Sequence, residues 1–315
     1  MAHSAPGKHY RKGLTLVELF KMFPDDETAE QWFIQVRWPD GITCPSCDSR
    51  NVFTKASHKT MPYRCNDCKK RFSVKTDSIM QSSKLGYQKW AIAMYLVTTN
   101  LKSVSSLKLH RDLGITQQAA WHMLHRIRKA YMDSDEEPFD GEVEVDESYF
   151  GGKEANKHAK KKLKAGRRAV GKTAVVGMKD RKSNRVKAEV VKRTDRRTLQ
   201  LFVLRSTSAF STVYNDDALA YRGLPRQHVT VRHSVGEYVR RQAYTNGLES
   251  FWATMKRGYH GVYHHMTPKH LHRYLAEFQG RHNNRPLDTE EQMRAIVEGS
   301  IGKLPRYKDL IAETG

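Results

Sequence analysis

The spacing of apolar positions changes character near residue 141. Before it, apolar side chains recur at helical spacing. Thr15 and Glu18 form a Thr-x-x-Glu box ahead of a first helix that Pro24 ends, and Glu30 to Trp38 carries a second apolar stripe. Residues 87–132 also read as helical. One helix, Ser105 to Leu113, stops at Gly114; Thr116 caps the next, which runs to about Tyr131. Ala120, Leu124, Ile127 and Tyr131 form its core stripe, whereas Gln117, Gln118, His122, His125, Arg126 and Lys129 face outward. After 141 the period falls to two. Glu142 to Tyr149, Ala174 to Met178 and Val186 to Val191 read as strands. A helix with Thr194 as its cap follows to about Leu204. Strands at Ser211 to Tyr214 and Gln227 to Val231 come next, and the remainder is helical.

Three strands, a helix, a strand, a helix and a strand is the order of a ribonuclease H-like domain: an α/β (α+β) mixed sheet with helices on both faces. The expected organisation is a helical lead-in (1–40), a cysteine-bearing module (41–76), a helix-turn-helix region (77–132), a linker (133–140), the sheet domain (141–300) and a tail (301–315). Helix, Gly-containing turn and helix with Gln and Arg outward suits either a plain helical hairpin with a solvated face or a DNA-reading helix-turn-helix, whose side chains can bond base edges in pairs; the chain's charge favours the second.

Charge narrows the class of partner. The 315 residues carry 55 Lys+Arg against 34 Asp+Glu, a net +21, which calls for a polyanion. No stretch approaches the roughly 20 apolar residues of a spanning helix, and no apolar segment follows the charges of the first residues. Double-stranded DNA in the cytoplasm, with association with the nucleoid through that DNA, is the expected setting.

All four cysteines fall between 44 and 68, as Cys44-Pro-Ser-Cys47 and Cys65-Asn-Asp-Cys68 with seventeen residues between the pairs. Two C-x₂-C turns at that separation suit a tetrahedral Zn²⁺ held by four thiolates, with no position left for chemistry: a structural zinc ribbon. Lys69, Lys70 and Arg71 follow the last ligand and are candidate phosphate contacts.

Asp146 lies in the first strand of the sheet domain and Asp216 directly after the fourth. These strands are neighbours in the expected fold, so the carboxylates would lie side by side and call for cations between them. Mg²⁺ takes oxygen ligands and keeps sites for substrate phosphate. In Asn246 to Lys256, Leu248, Phe251, Trp252 and Met255 form the buried stripe, while Asn246, Glu249 and Lys256 share another that Ala253 keeps open. Glu249 is therefore aimed along the edge of the packed face, and Lys256 and Arg257 follow where a nucleic-acid backbone would run. Glu144 and Glu147, in the same strand as Asp146, read as outward charges on its opposite face.

Several stretches carry a family resemblance: Arg37-Trp-Pro-Asp-Gly-Ile-Thr-Cys-Pro-Ser-Cys47, Val145-Asp-Glu-Ser-Tyr-Phe-Gly-Gly-Lys153, Tyr214-Asn-Asp-Asp-Ala-Leu-Ala-Tyr221, Thr245-Asn-Gly-Leu-Glu-Ser-Phe-Trp-Ala-Thr-Met-Lys-Arg-Gly258, and a continuation through Tyr263 to Arg285. In these the chain resembles the DDE transposases of bacterial insertion sequences, the group with an N-terminal zinc ribbon. The resemblance implies a ribonuclease H-like catalytic domain and two Mg²⁺ ions, with Mn²⁺ as a substitute. It also implies cleavage and strand transfer at terminal inverted repeats and a synaptic dimer or larger assembly. It assigns Asp146, Asp216 and Glu249 as the acidic triad, choosing Asp216 over Asp217 by its distance from Tyr221, and it offers Asn246 as a sharer of the third role. Two other readings compete: a zinc-ribbon and helix-turn-helix regulator without catalysis, and a ribonuclease H-like nuclease that only hydrolyses.

Six of 15 histidines lie in 258–285 and read as part of a basic, aromatic DNA-facing surface rather than a second metal site. Lys157 to Lys172 holds eight Lys/Arg and reads either as a solvated loop or as an arm that orders on DNA.

Overall fold

A computed structural model describes residues 11–55, 57–132, 137–152, 171–216, 219–231 and 246–312. Within those bounds the first helices are α1 (Leu16–Met22) and α2 (Asp26–Arg37). The Thr15–Glu18 capping box is present at α1, and the Asp25 side chain accepts from the N–H of Thr28 at α2. Short strands β1 (Val52–Phe53), β2 (Tyr63–Cys65) and β3 (Arg71–Phe72) form an antiparallel sheet. Then come α3 (Tyr87–Thr99), α4 (Ser106–Leu113) and α5 (Gln117–Ala130). Gly114 ends α4 with φ 57° and ψ 44°, the left-handed conformation that a residue without Cβ adopts at low cost. The Thr116 hydroxyl accepts from the N–H of Ala119 and starts α5.

The second half holds strands β4 (Glu142–Phe150), β5 (Thr173–Asp180) and β6 (Val186–Val191), helix α6 (Arg196–Ser206), and strands β7 (Thr212–Asp216) and β8 (Gln227–Val231). After them come α7 (Asn246–Gly258), a π-helical turn at Tyr259–Tyr263 and α8 (Pro268–Asn284). The chain closes with α9 (Thr289–Glu298) and α10 (Tyr307–Ile311). The cap of α6 is Asp195, whose side chain accepts from Thr198, one residue later than the sequence reading placed it.

The large sheet has the order β6-β5-β4-β7-β8. β4, β5 and β6 are antiparallel; β7 joins β4 in parallel and β8 joins β7 in parallel. This mixed sheet with helices on both faces is the ribonuclease H-like fold. Alternation along β4 assigns its two faces. Val143 and Val145 pack with Leu199, Phe202 and Val203 of α6. Phe150 packs with Leu248, Phe251, Trp252 and Met255 of α7 and with Leu271, Tyr274, Leu275 and Phe278 of α8. The α7 stripe is thus the one the sequence implied. Burying each such large apolar side chain stabilises by about 1.5–3 kcal/mol relative to exposure.

The chain divides into two compact units, Met1–Asp133 with Asn284–Gly315, and Ser134–Asn283. The sequence reading carried the sheet domain to residue 300. Instead α9 belongs to the first unit, where Met293, Ile296 and Val297 join the core made by α2, α3 and α5. The N–H of Thr289 donates to the carbonyl of Lys12 in the same unit. Among the described residues no helix is long and apolar enough to cross a membrane.

Candidate nucleic-acid and metal sites

The cysteines occupy two tight turns. The N–H of Asp48 bonds the carbonyl of Cys44, the N–H of Cys65 bonds that of Lys70, and Asp48 and Lys69 take φ of 55° and 64° to close the turns. All four sulfurs lie within 4.8 Å of one another, with Cys44–Cys68 and Cys47–Cys65 Sγ separations of 3.6 Å. A tetrahedron with Zn–S bonds of about 2.3 Å has an edge of roughly 3.8 Å, so the four thiols fit one Zn²⁺. The Cys68 N–H donates to Cys65 Sγ and draws that thiol down to about 6, while burial pushes the Cys44 thiol up. Zinc would supply a structural link here, and Cys44, Cys47, Cys65 and Cys68 would hold it. Trp38 meets Tyr63 and Phe72 edge-on at 5.9 and 6.0 Å, fastening the ribbon to the end of α2. Lys69, Lys70 and Arg71 are exposed beside it, and Lys69 Nζ donates to the carbonyl of Asn66.

On α5 the structure separates residues that the helical spacing had grouped. Gln117 and Gln118 are exposed; their amides donate to the Ser106 hydroxyl at 2.9 Å and the Tyr307 hydroxyl at 2.6 Å. His125, expected outward, is fully buried and lies 4.4 Å from the Trp121 ring. Arg126 is half-buried, and its guanidinium donates to the carbonyls of Ile79 and Gln81 at 2.9 and 2.8 Å. Its charge therefore serves the turn at 79–81 rather than an open face. Lys129 is half-buried.

In the second unit, the parallel ladder pairs Glu144 with Tyr214 as its last register position. Asp146 and Asp216 each stand two residues beyond that last pair, on neighbouring strands. The side chains of Asp216 and Asn246, with Asp217 and residues 232–245, lie outside the described residues, as does most of the basic run at 157–172. Asp146 is half-buried. Its Oδ2 accepts from the indole N–H of Trp252 at 3.1 Å and its Oδ1 from the N–H of Glu147 at 2.8 Å. Glu249 is exposed on α7, three residues before Trp252, and Lys256 and Arg257 are exposed one to two turns on.

Glu144 does not face outward. A spacing of two sets it on the same face as Asp146, not the opposite one. It is buried, accepts from the N–H of Leu248 at 3.0 Å and pairs with Arg181 Nε at 3.3 Å. Burial raises its carboxyl pKa, and the Leu248 N–H and the Arg181 charge oppose that shift. Glu147 lies on the other face, half-buried, and its carboxylate accepts from the Tyr221 hydroxyl. Sequence reasoning also missed the polar use of Trp252, which it read as core alone. The three-residue step from Glu249 was the available signal. Gly177, paired with Asp146 across β4 and β5, is the other omission. A Cβ there would lie 2.5 Å from Trp252 Cζ2, so the indole lies directly on the sheet backbone.

Histidines of the 258–285 stretch form no metal cluster among the described residues, where the four cysteines are the group found. His282 Nε2 instead contacts the carbonyl of Asn184 at 3.0 Å.

A ribonuclease H-like sheet with a zinc ribbon ahead of it defines a class, and comparison supplies the family. Residues 138–283 match the ISXO2-like transposase domain, and residues 24–71 match the transposase zinc-ribbon domain. The ribbon match begins at the start of α2 rather than at residue 41. The chain is also 25% identical over 295 residues to the "Uncharacterized protein in transposable element ISH50" of Halobacterium salinarum, covering 89% of this chain and 99% of that protein. The chain belongs to the insertion-sequence transposases that carry an N-terminal zinc ribbon.

Proposed function

We propose that this transposase binds the terminal inverted repeats of its element, cleaves there and joins the freed ends to target DNA. Asp146, Asp216 and Glu249 would hold two Mg²⁺ ions, for which Mn²⁺ substitutes. The observation that carries the reading is the register of β4 and β7, in which Asp146 and Asp216 each follow the last pair by two residues, together with the link from Asp146 to α7, the helix that bears Glu249. An all-carboxylate donor set suits a hard divalent cation rather than zinc. When bound, two such ions activate the attacking water or 3′ hydroxyl and stabilise the leaving oxygen of an in-line displacement.

The protein's own part is positioning. Strand β4, strand β7 and helix α7 would bring the three acids, distant in sequence, to one metal site. Lys256 and Arg257, and Asn246 at the start of the same helix, would steer the DNA backbone beside them. In the first unit, Lys69, Lys70 and Arg71 would meet phosphates, and Gln117, Gln118 and Lys129 of α5 would meet the duplex as the second helix of a helix-turn-helix. Arg126 is withdrawn from that surface because its donors already serve two carbonyls. The protein would act in the cytoplasm as a dimer or larger assembly that holds both ends.

The test supplies purified protein with DNA carrying the ends of its own element and Mg²⁺. Joined products are expected. Binding with no nick in Mg²⁺ or Mn²⁺ would identify a regulator, and cut ends that are never joined would identify a hydrolase.

A further inference from the structure

We infer that Trp252 is a positioning residue for Asp146: its indole N–H fixes the carboxylate that is to hold divalent metal. The inference rests on the reading of Asp146 as a metal ligand given above.

Five observations carry it. The indole Nε1 donates to Asp146 Oδ2 at 3.1 Å, and the Trp252 side chain is almost completely buried. A buried indole N–H takes a partner, and a carboxylate makes the stronger, charge-assisted bond. The Glu147 N–H holds the other oxygen at 2.8 Å, so two donors, one on each oxygen, set the plane of the carboxyl group.

The ring itself cannot turn away. Phe251 and Phe150 pack against it at 5.1 and 6.2 Å between centroids. On its sheet side, position 177 carries no side chain. Gly177, opposite Asp146, leaves space that a Cβ would fill at 2.5 Å from Cζ2 and 2.8 Å from Cη2. Apolar packing alone does not require an indole there; a phenyl ring would fill most of the space without an N–H. Finally, Trp252 lies one helical step from Glu249, so the same bond sets the phase of α7 against β4. Partners that orient a metal ligand in this way carry much of a site's affinity: their loss costs about 10–100-fold in metal binding or activity.

The experiment titrates Mn²⁺ into full-length wild-type protein, Trp252→Phe and Asp146→Asn, reading free Mn²⁺ by electron paramagnetic resonance, with thermal unfolding in parallel. Trp252→Phe is expected to raise half-saturating Mn²⁺ by about 10-fold or more, with cleavage at an element end regained as Mn²⁺ is increased. A lowered unfolding temperature with an unchanged Mn²⁺ curve would confine Trp252 to packing and overturn the inference. Wild-type Mn²⁺ binding by Asp146→Asn would show instead that the ligand reading is at fault, and the inference would fall with it. Should Trp252→Phe not fold, Gly177→Ala displaces the ring from its other side. The same weakening is then expected, and an unaltered Mn²⁺ curve would overturn the role.

Discussion

The buried carboxylate of Glu144 accepts a hydrogen bond from the backbone N–H of Leu248 at 3.0 Å, linking β4 to the first turn of α7 across 104 residues of chain. An N–H in the first turn of a helix has no partner within that helix. Glu144 supplies one, and Arg181 Nε at 3.3 Å balances its charge. The Arg181 guanidinium in turn lies 3.8 Å from the ring centre of Tyr214 on β7. One buried acid therefore ties together both aspartate-bearing strands and the helix that carries Glu249.

Glu144→Ala removes one partner of a buried ion pair and leaves the other charged. A loss of about 3–5 kcal/mol in unfolding free energy is expected, measured by urea denaturation. Glu144→Gln keeps an acceptor for Leu248 and should lose clearly less. Equal losses for the two would show that the Leu248 bond contributes nothing.

The zinc assignment predicts one zinc per chain by elemental analysis. Cys65→Ala should abolish it and lower the unfolding temperature, because an incomplete thiolate set loses both the metal and the folding energy tied to it. Full zinc content in that variant would contradict a four-cysteine site.

Arg126 and the ribbon lysines make a contrasting pair. Arg126→Ala leaves two carbonyls in the turn at 79–81 without their donors, and a loss of about 1–3 kcal/mol in stability is expected, with the salt dependence of DNA binding unchanged. Lys69→Ala with Lys70→Ala should leave stability nearly unaltered. In a plot of log affinity against log salt, each removed phosphate contact should flatten the slope by about one unit. A slope altered by Arg126→Ala and not by the lysine pair would reverse these roles.

The distribution of what the sequence revealed has physical causes. Alternation gave β6 and β8 at their observed bounds, because a strand packed on one or both faces writes its burial directly into its residues. The C-x₂-C pairs gave the zinc ribbon, since a metal site imposes spacing. The side on which Glu144 lies was available from the two-residue step to Asp146. Its apparent exposure came from treating a charge as outward, whereas a buried acid is acceptable when Arg181 and Leu248 complete its bonds. The burial of His125 and the bonds of Arg126 were not legible because helical spacing identifies a face of α5 but not what covers it. The turn at 79–81, distant in sequence, takes the Arg126 donors. The return of α9 to the first unit leaves no local mark, since an apolar stripe does not name its partner. Trp252 appeared only as packing because periodicity is blind to where an indole N–H points.

Gly299 records that return of the chain. A Cβ there would lie 2.6 Å from the carbonyl oxygen of Ala130 at the end of α5. Gly299→Ala should destabilise the first unit by about 1–3 kcal/mol as seen in urea unfolding. A neutral effect would mean that the α9 end is not held against α5.

In the proposed reaction Asp146 takes part in metal-dependent DNA breakage and joining. This role is tested most directly by comparing wild type and Asp146→Ala on DNA bearing the element ends in Mg²⁺, scoring end binding, cleavage and strand transfer in the same samples. Near-normal end binding by Asp146→Ala is expected, with no cleavage and no joined product. Strand transfer retained by that variant would contradict the role.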